Sequence, residues 1–581
     1  MKLLIWLALA QLAWCQYNVL TFHGDAQRTG WISNEKSLTP AKVAGGEFGP
    51  IWNSPQFDSV TINGVTYAPH LYASPLYADA VKIGGLYRHV VYAASNNGFV
   101  YAVSASPPSG AILWSRQLTN PIPTLDPDLP IGILGTPTID LNSNRLYVAS
   151  ADAVQGWEVF ALDITTGAIL PGWPLAINNA TLAPINQNGP ATFQATTEMS
   201  QRGGLNLSPD GRFLYVPFGG YNDRAAGWMI AVDTAKPALA SAFSAAPSAV
   251  LEAVGGMWAS GGPAVDALGN VYSTTGNTTT GITTANGYWS QSVLQWGPGS
   301  PLNLIGTYTP WNYCQMDQDD ADLSGGAVVV LPDLGANNTS TPHLITFGGK
   351  QGNQYLVDRD HMPGGLIRHP DCSADPSIET SLVPPGPQPQ FGAPGPLNVF
   401  GPYSELYAQV DYAKGRSTGA FFRAADGSNF LFVTGSSKAA ADSVDTVPPG
   451  LVKLRIVTTP GSPAYLAVEA SQNTLDFLSP GSPWVTSNGA HNAIVWVLVA
   501  NVPRGASLDD PNAARPTLYA FDPVTLQPLW SSTPGMLNVG GKYNTPAFGR
   551  GQVFVGMDRI QAFGLKLTPA NPGRGREPAQ E

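Results

Sequence analysis

Charge is scarce in this sequence. Asp, Glu, Lys and Arg together supply 12% of the 581 residues, and the balance is acidic, −11 at neutral pH. A nucleic acid or an anionic membrane would need a basic face to bind, so neither is expected as a partner. Cysteine is nearly absent, with 3 in the whole chain, which excludes a disulfide-dense scaffold. Beyond residue 15 no apolar run is long enough to cross a bilayer as a helix. Sustained helical periodicity is also missing. So are the generic catalytic signatures: there is no GxSxG elbow, no HExxH, no phosphate loop, no GxGxxG and no CxxCH haem attachment. The 7 histidines are scattered, and none pairs with another at metal-ligand spacing.

What is present is glycine, proline and short β-rich runs. With Gly 63, Pro 52 and hydrophobic residues at 43%, the composition fits a loop-rich β protein rather than disorder. Residues 146–173, LYVASADAVQGWEVFALDITTGAILPGW, hold two apolar strands, an Asp-to-Gly turn (DITTG) and a third strand over 169–173. Asp bonds its own backbone and Gly supplies a positive φ, so the turn chemistry is that of a hairpin. One such unit cannot bury both its faces and needs copies on either side. The phrase recurs from starts near Ser74, Thr136, Gly203, Gly262, Gly325, Thr418, Val485 and Thr545, spaced 59 to 67 residues apart except for one gap of 93. All-strand repetition at this period predicts radially arranged four-stranded blades, with the excess length in loops. The expectation is an all-β single eight-bladed propeller over residues 16–566, with seven blades as the alternative. The last repeat supplies only three strands, and residues 48–53, FGPIWN, are expected to add the fourth. They carry the Trp that ends other blades (Trp114, Trp530), and they would close the ring and hide its edges.

Residues 1–15, MKLLIWLALAQLAWC, read as a signal peptide with an A-x-C cut, and hence an exported, periplasmic or extracellular protein without a transmembrane segment. A lipid anchor at Cys15 is disfavoured by bulky Trp14 in front of it. Cys314 and Cys372 then remain, and an even pair in an oxidising compartment is expected to form a disulfide, two buried thiols being the alternative. That bridge would tie the Cys314 loop to a Pro-rich insertion over 371–416, read as extended and irregular, a surface excursion or a lid. Residues 567–581 read as a disordered tail. His23, in FHGDAQRTG, reads as a structural residue at the closing strand.

Three segments concentrate chemistry: GGMW (255–258) leading to TTGN (274–277), DQDDADLSGG (317–326), and GGKQGNQYLVDRD (348–360). Four carboxylates within six residues repel one another unless water or a cation lies among them. Oxygen ligands of this kind, with an Asn carbonyl, suit Ca²⁺, and a solvated acidic loop is the alternative.

These motifs resemble those of the pyrroloquinoline quinone (PQQ) propeller family, the quinoprotein alcohol dehydrogenases and their non-enzymatic PQQ-like relatives. ALDITTGAILPGW and AFDPVTLQPLW look like that family's AxDxxTGxxxW blade motif, and HGDAQRTG followed by SLTPAKV is similar to its N-terminal signature. Carried over by position, the resemblance puts Trp258 under the quinone ring, Lys350 at the quinone oxygens and Asp322 in the role of catalytic base. It puts Asn277 and Asp322 at a Ca²⁺ ion. GGYNDRAAGW places Asn222 beside Asp223 where the family has a metal-binding Glu. The adjacent Cys-Cys pair of the family is missing, and without haem, electrons would leave to a separate acceptor. The resemblance therefore implies a divergent dehydrogenase of a small alcohol or sugar using PQQ and Ca²⁺. The propeller also serves as a scaffold for protein or glycan partners. Convergence of Trp258, Asn277, Asp322 and Lys350 on one pocket with access from outside separates the enzyme from a scaffold, which could have them dispersed or the funnel plugged.

Overall fold

The computed structural model describes residues 17–123, 130–194, 199–220, 225–248, 254–278, 285–369, 371–372, 397–400, 415–436, 450–502, 507–508, 510, 512 and 514–566. Eight four-stranded antiparallel blades form a ring. Blade 1 comprises Leu76–Ile83, Leu86–Ala94, Phe99–Ser104 and Ile112–Gln117. Blade 2 comprises Thr138–Asp140, Arg145–Asp152, Gly156–Asp163 and Leu175–Ile177. Blade 3 has a split inner strand, Met199–Ser200 and Asn206–Leu207, followed by Phe213–Gly220, Trp228–Asp233 and Ala238–Ser244. Blade 4 is Ala264–Val265, Val271–Thr274, Val293–Trp296 and Leu304–Tyr308, and blade 5 is Val329–Val330, Leu344–Gly348, Gln354–Asp358 and Asn398–Phe400. Blade 6 is Ala420–Arg423, Asn429–Thr434, Leu451–Thr459 and Ser462–Gln472, and blade 7 is Trp484–Asn488, His491–Val499, Thr517–Phe521 and Pro528–Ser531.

Blade 8 is closed as expected. Phe48–Asn53 pairs antiparallel with Ile560–Leu565, outside Gln552–Gly556 and Ala547–Gly549. Pro50 has no N–H to give, which an outermost strand tolerates, and the register shifts between Pro50 and Trp52. Phe48 packs edge-on against Trp530 of blade 7, ring centroids 4.9 Å apart, so the joint between first and last chain segments is apolar.

The repeat has a physical reason. Trp114 at the end of blade 1 donates its indole N–H to Ile164 O in the DITTG turn of blade 2 (3.1 Å) and covers Gly167. Gly167 adopts φ +69°, and Asp163 Oδ1 accepts from the N–H groups of Thr165 and Thr166, so turn and tryptophan lock neighbouring blades together. The small polar starts do the same near the axis: Ser74 N–H donates to Thr136 Oγ1 (3.0 Å), Thr545 N–H to Ser74 Oγ (3.0 Å) and Thr418 N–H to Ser482 Oγ (2.8 Å).

Two expectations are corrected. The third strand expected over 169–173 is a single bridge at Ile169; a turn at Pro171-Gly172 interrupts it, and the outer strand is Leu175–Ile177. His23 does not sit at the closing strand. It is buried in the central channel between Phe22 and Trp484 (centroids 4.5 and 5.1 Å), and burial pulls its pKa down to about 3, so it is neutral and structural there.

His23 belongs to a feature absent from the repeat pattern. Residues 19–35 wind through the channel and meet the blades in order. Val19 exchanges main-chain bonds with Tyr77 of blade 1, and Leu20 O accepts from Ile139 N of blade 2. Thr21 Oγ1 donates to Leu205 O beside blade 3. Ala26, Gln27, Thr29 and Gly30 carbonyls accept from Val265, Val330, Phe421 and Val485 of blades 4 to 7, and Glu35 Oε2 accepts from Gly551 N of blade 8. Arg28 is the hub. It is fully buried, and its guanidinium makes five bonds, to Thr21 Oγ1 and the carbonyls of Phe22, Gly204, Leu205 and Pro263. Trp31–Ile32 then pairs in parallel with Val485–Thr486, and Ser33 O accepts from Gly489 N at the turn between the first two strands of blade 7. The channel is thereby filled, and the segment leaves on the face formed by first-to-second-strand turns.

Residues 1–15, read as a signal peptide, and residues 567–581, read as a tail, lie outside the described residues, as does most of the 371–416 insertion. Within that insertion, Asn398–Phe400 returns to form the outer strand of blade 5. Among the described residues no helix is long and apolar enough to cross a membrane.

Candidate functional site

The opposite face is built from loops that follow second strands or precede first strands. There the predicted residues meet. Lys350 follows the second strand of blade 5, Asn277 the second strand of blade 4, and Asp322 precedes the first strand of blade 5. Trp258 precedes the first strand of blade 4.

Lys350 organises the cluster. Its side chain is 6% exposed, and its Nζ lies 2.5 Å from Asp322 Oδ2 and 2.6 Å from Asp320 Oδ1. The same ammonium stands 5.4 Å from the centroid of the Trp258 ring, a cation–π distance. Asp322 is held from both ends of its side chain: Oδ1 accepts from Asn277 N–H at 2.7 Å while Oδ2 meets Lys350. Its carbonyl accepts from Lys350 N–H at 2.9 Å. Gly276 is required for this closeness, because a Cβ there would collide with the Asp322 carboxylate and Ser324 Oγ. Asn277 Nδ2 approaches Asp320 Oδ1 at 3.5 Å. Four residues chosen from sequence thus share one cluster. Asn222 and Asp223 lie outside the described residues.

The acidic run is not a loop throughout, and it is solvated only in part: Asp317 and Asp322 are buried, while Asp319 and Asp320 are half-exposed. It begins in the short helix Tyr313–Gln318, where Asp317 is buried. Its Oδ1 accepts from Thr278 N–H at 3.1 Å, and Ser290 Oγ donates to Oδ2 at 3.4 Å. Burial pushes the Asp317 carboxyl up to about 8, with the Asp322 charge adding to it against the hydrogen bonds it accepts. Asp317 is therefore protonated at neutral pH, and Asp320 and Asp322 share Lys350. Cys314 in the same helix is disulfide-bonded to Cys372, Cα atoms 6.0 Å apart, so the bridge fastens the helix that carries Asp317. Asp320 as the second partner of Lys350, and Asp317 as a neutral acid, were not singled out by sequence. The density of Asp in 317–322 was the available signal, but burial sorted their roles.

The two proposed ligands fit differently. Trp258 is half-buried, and the buried Lys350 ammonium stands 5.4 Å from its ring centroid, an aromatic surface beside a cation that suits a flat, oxygen-rich ring. For a metal, among the described residues no group of three or more His, Cys, Asp or Glu side chains is placed to hold an ion. Asn277 and Asp322 are adjacent, but they do not complete a calcium site by themselves.

No protein-family model and no curated protein sequence matches the chain. Solved structures do. A quinohemoprotein alcohol dehydrogenase from Pseudomonas putida HK5 aligns with TM-score 0.57 at 13% identity, over 97% of this chain and 82% of that one. The corresponding enzyme from Comamonas testosteroni gives TM-score 0.53 at 14% identity over 97% and 82%. A europium-containing methanol dehydrogenase gives 0.55 at 13%, over 93% and 90%. At this identity the likeness establishes the fold. The chain is an eight-bladed propeller, similar in fold to these dehydrogenases.

Proposed function

We propose that this protein is an exported quinoprotein dehydrogenase that binds PQQ on the Trp258 face and oxidises a small alcohol or sugar. The observation that carries the reading is the convergence of Trp258, Lys350, Asp322 and Asn277 on one cluster; a scaffold has no need of a buried lysine held between two carboxylates beside a half-buried indole. PQQ would supply the acceptor for the hydride leaving the alcohol carbon. Trp258 would support the ring by stacking, and Lys350 would place its positive charge at the quinone oxygens, where negative charge develops. Asp322 would take the hydroxyl proton as general base, its carboxylate paired with Lys350 and aimed by Asn277 N–H. Calcium would sit beside Asn277 and Asp322, with Asn222 and Asp223 as further ligands. Electrons would pass to a separate acceptor, since the chain has no CxxCH.

The test is dye-linked oxidation by chain loaded with PQQ and Ca²⁺, screened over primary alcohols and aldoses. The reading expects turnover that falls by at least about a hundredfold in Asp322→Asn, the loss of a general base, with the fold intact. Turnover unchanged in Asp322→Asn would remove that residue from the role.

A further inference from the structure

The face that carries Lys350 has a second concentration of positive charge that the dehydrogenase reading does not use. Arg202 lies between the two halves of the split inner strand of blade 3, and Arg416 and the pair Lys542-Tyr543 lie just ahead of the inner strands of blades 6 and 8. They meet on Tyr543. The Arg202 guanidinium stands 5.0 Å from the Tyr543 ring centroid and 6.0 Å from that of Tyr72, and Arg416 stands 5.8 Å from the Tyr543 ring. Arg416, Lys542 and Tyr543 are only 6%, 4% and 5% exposed, so they form the floor of the cluster. Arg202 and Tyr72 are half-buried and open it to solvent. The Tyr543 hydroxyl, though buried, makes no hydrogen bond of good geometry. Burial would raise the phenol, yet the charges of Arg416, Arg202 and Lys542 bring it below its usual value, with help from the Ser479 hydroxyl. The backbone of Gly415, next to Arg416, lies against Gly325, Gly349 and Gly352, and Gly325 in turn lies against the main chain of Lys350, so the cluster continues the same mouth.

We infer that Arg202, Arg416 and Lys542, gathered on Tyr543, form a subsite for the oxyanion group, carboxylate or phosphate, of a small ligand entering this face. Guanidinium groups supply forked donors matched to two oxygens, the lysine adds a point charge, and the phenol hydroxyl supplies one more donor. Low exposure keeps water from screening them.

The experiment is calorimetric titration of the full chain, without quinone, with citrate and separately with inorganic phosphate at low ionic strength. Saturable binding is expected, weakened at least about tenfold in Arg416→Gln and in Lys542→Gln, the loss of one charged hydrogen bond. Lys453→Gln is the control. Lys453 pairs with Glu469 and covers Phe430 in blade 6, and its loss should leave the affinity unchanged. Tighter binding of citrate assigns a carboxylate ligand, and tighter binding of phosphate a phosphorylated one. If a buried variant fails to fold, Arg202→Gln at the half-exposed edge carries the same expectation. No saturable binding of either anion, or equal affinity in all three variants, overturns the inference. Because no quinone is present, the outcome is independent of whether PQQ binds.

Discussion

Replacing Arg28 by methionine isolates what the segment in the channel contributes. The side chain is fully buried and donates five hydrogen bonds, four to main-chain carbonyls and one to Thr21. Each bond from a charged donor contributes about 1.5–3 kcal/mol, and these bonds are not additive. Against them stands desolvation. Burial pulls the guanidinium well below its ordinary value, to about 9, with Asp25 opposing, a shift equivalent to about 5 kcal/mol against the charged form. It is still a cation at neutral pH. Methionine keeps the apolar stem but leaves the carbonyls of Phe22, Gly204, Leu205 and Pro263 buried without this donor, so the net loss is expected at about 3–6 kcal/mol. That is a large share of an ordinary domain's stability. Guanidinium chloride unfolding followed by tryptophan fluorescence reads the loss, and limited proteolysis should cut residues 17–35 earlier than in the parent. A loss below about 1 kcal/mol with unchanged proteolysis would refute the view that this segment holds the ring together.

Lys350→Met strands the Asp322 carboxylate, whose side chain is 2% exposed, and should cost about 3–5 kcal/mol in chemical unfolding, largely recovered by adding Asp322→Asn; no recovery would contradict the pairing. Native Asp317 holds its proton to about pH 8, whereas the unfolded group releases it near 3.8. Its contribution is therefore whole below that lower pKa and is lost as pH rises through the native one. Asp317→Asn should gain stability over the parent between those limits and level off above; a pH-independent difference in urea titrations would show an ionised Asp317. Cys372→Ser opens a bridge spanning 58 residues and should lower stability by about 2–5 kcal/mol, with a calorimetric melting point unchanged by reductant; a melting point equal to the parent's would contradict it.

The blade count was legible because the starts fall at or just before inner strands, several tied to a neighbour by a Ser or Thr, and because a Trp such as Trp114 ends on the turn of the next blade. FGPIWN was legible because its Trp belongs to the repeat. The channel segment was not. Its bonds to the blades run mainly from main chain to main chain, and such bonds leave no mark on side-chain pattern. The misplaced strand at 169–173 followed apolar content past Pro171-Gly172, where turn chemistry prevails. In the site, Trp258, Asn277, Asp322 and Lys350 were found through glycine-flanked motifs, and the glycines have a steric reason at Gly276. The division of labour among Asp317, Asp320 and Asp322 depends on burial, which the letters DQDDAD do not encode.

The most direct measurement is a calorimetric titration of the purified chain with PQQ, with and without Ca²⁺, on the parent, Trp258→Ala and Lys350→Ala. The account predicts saturable binding that is strengthened by Ca²⁺ and lost in both variants. Absence of binding under either condition, or binding indifferent to Trp258 and Lys350, would contradict it.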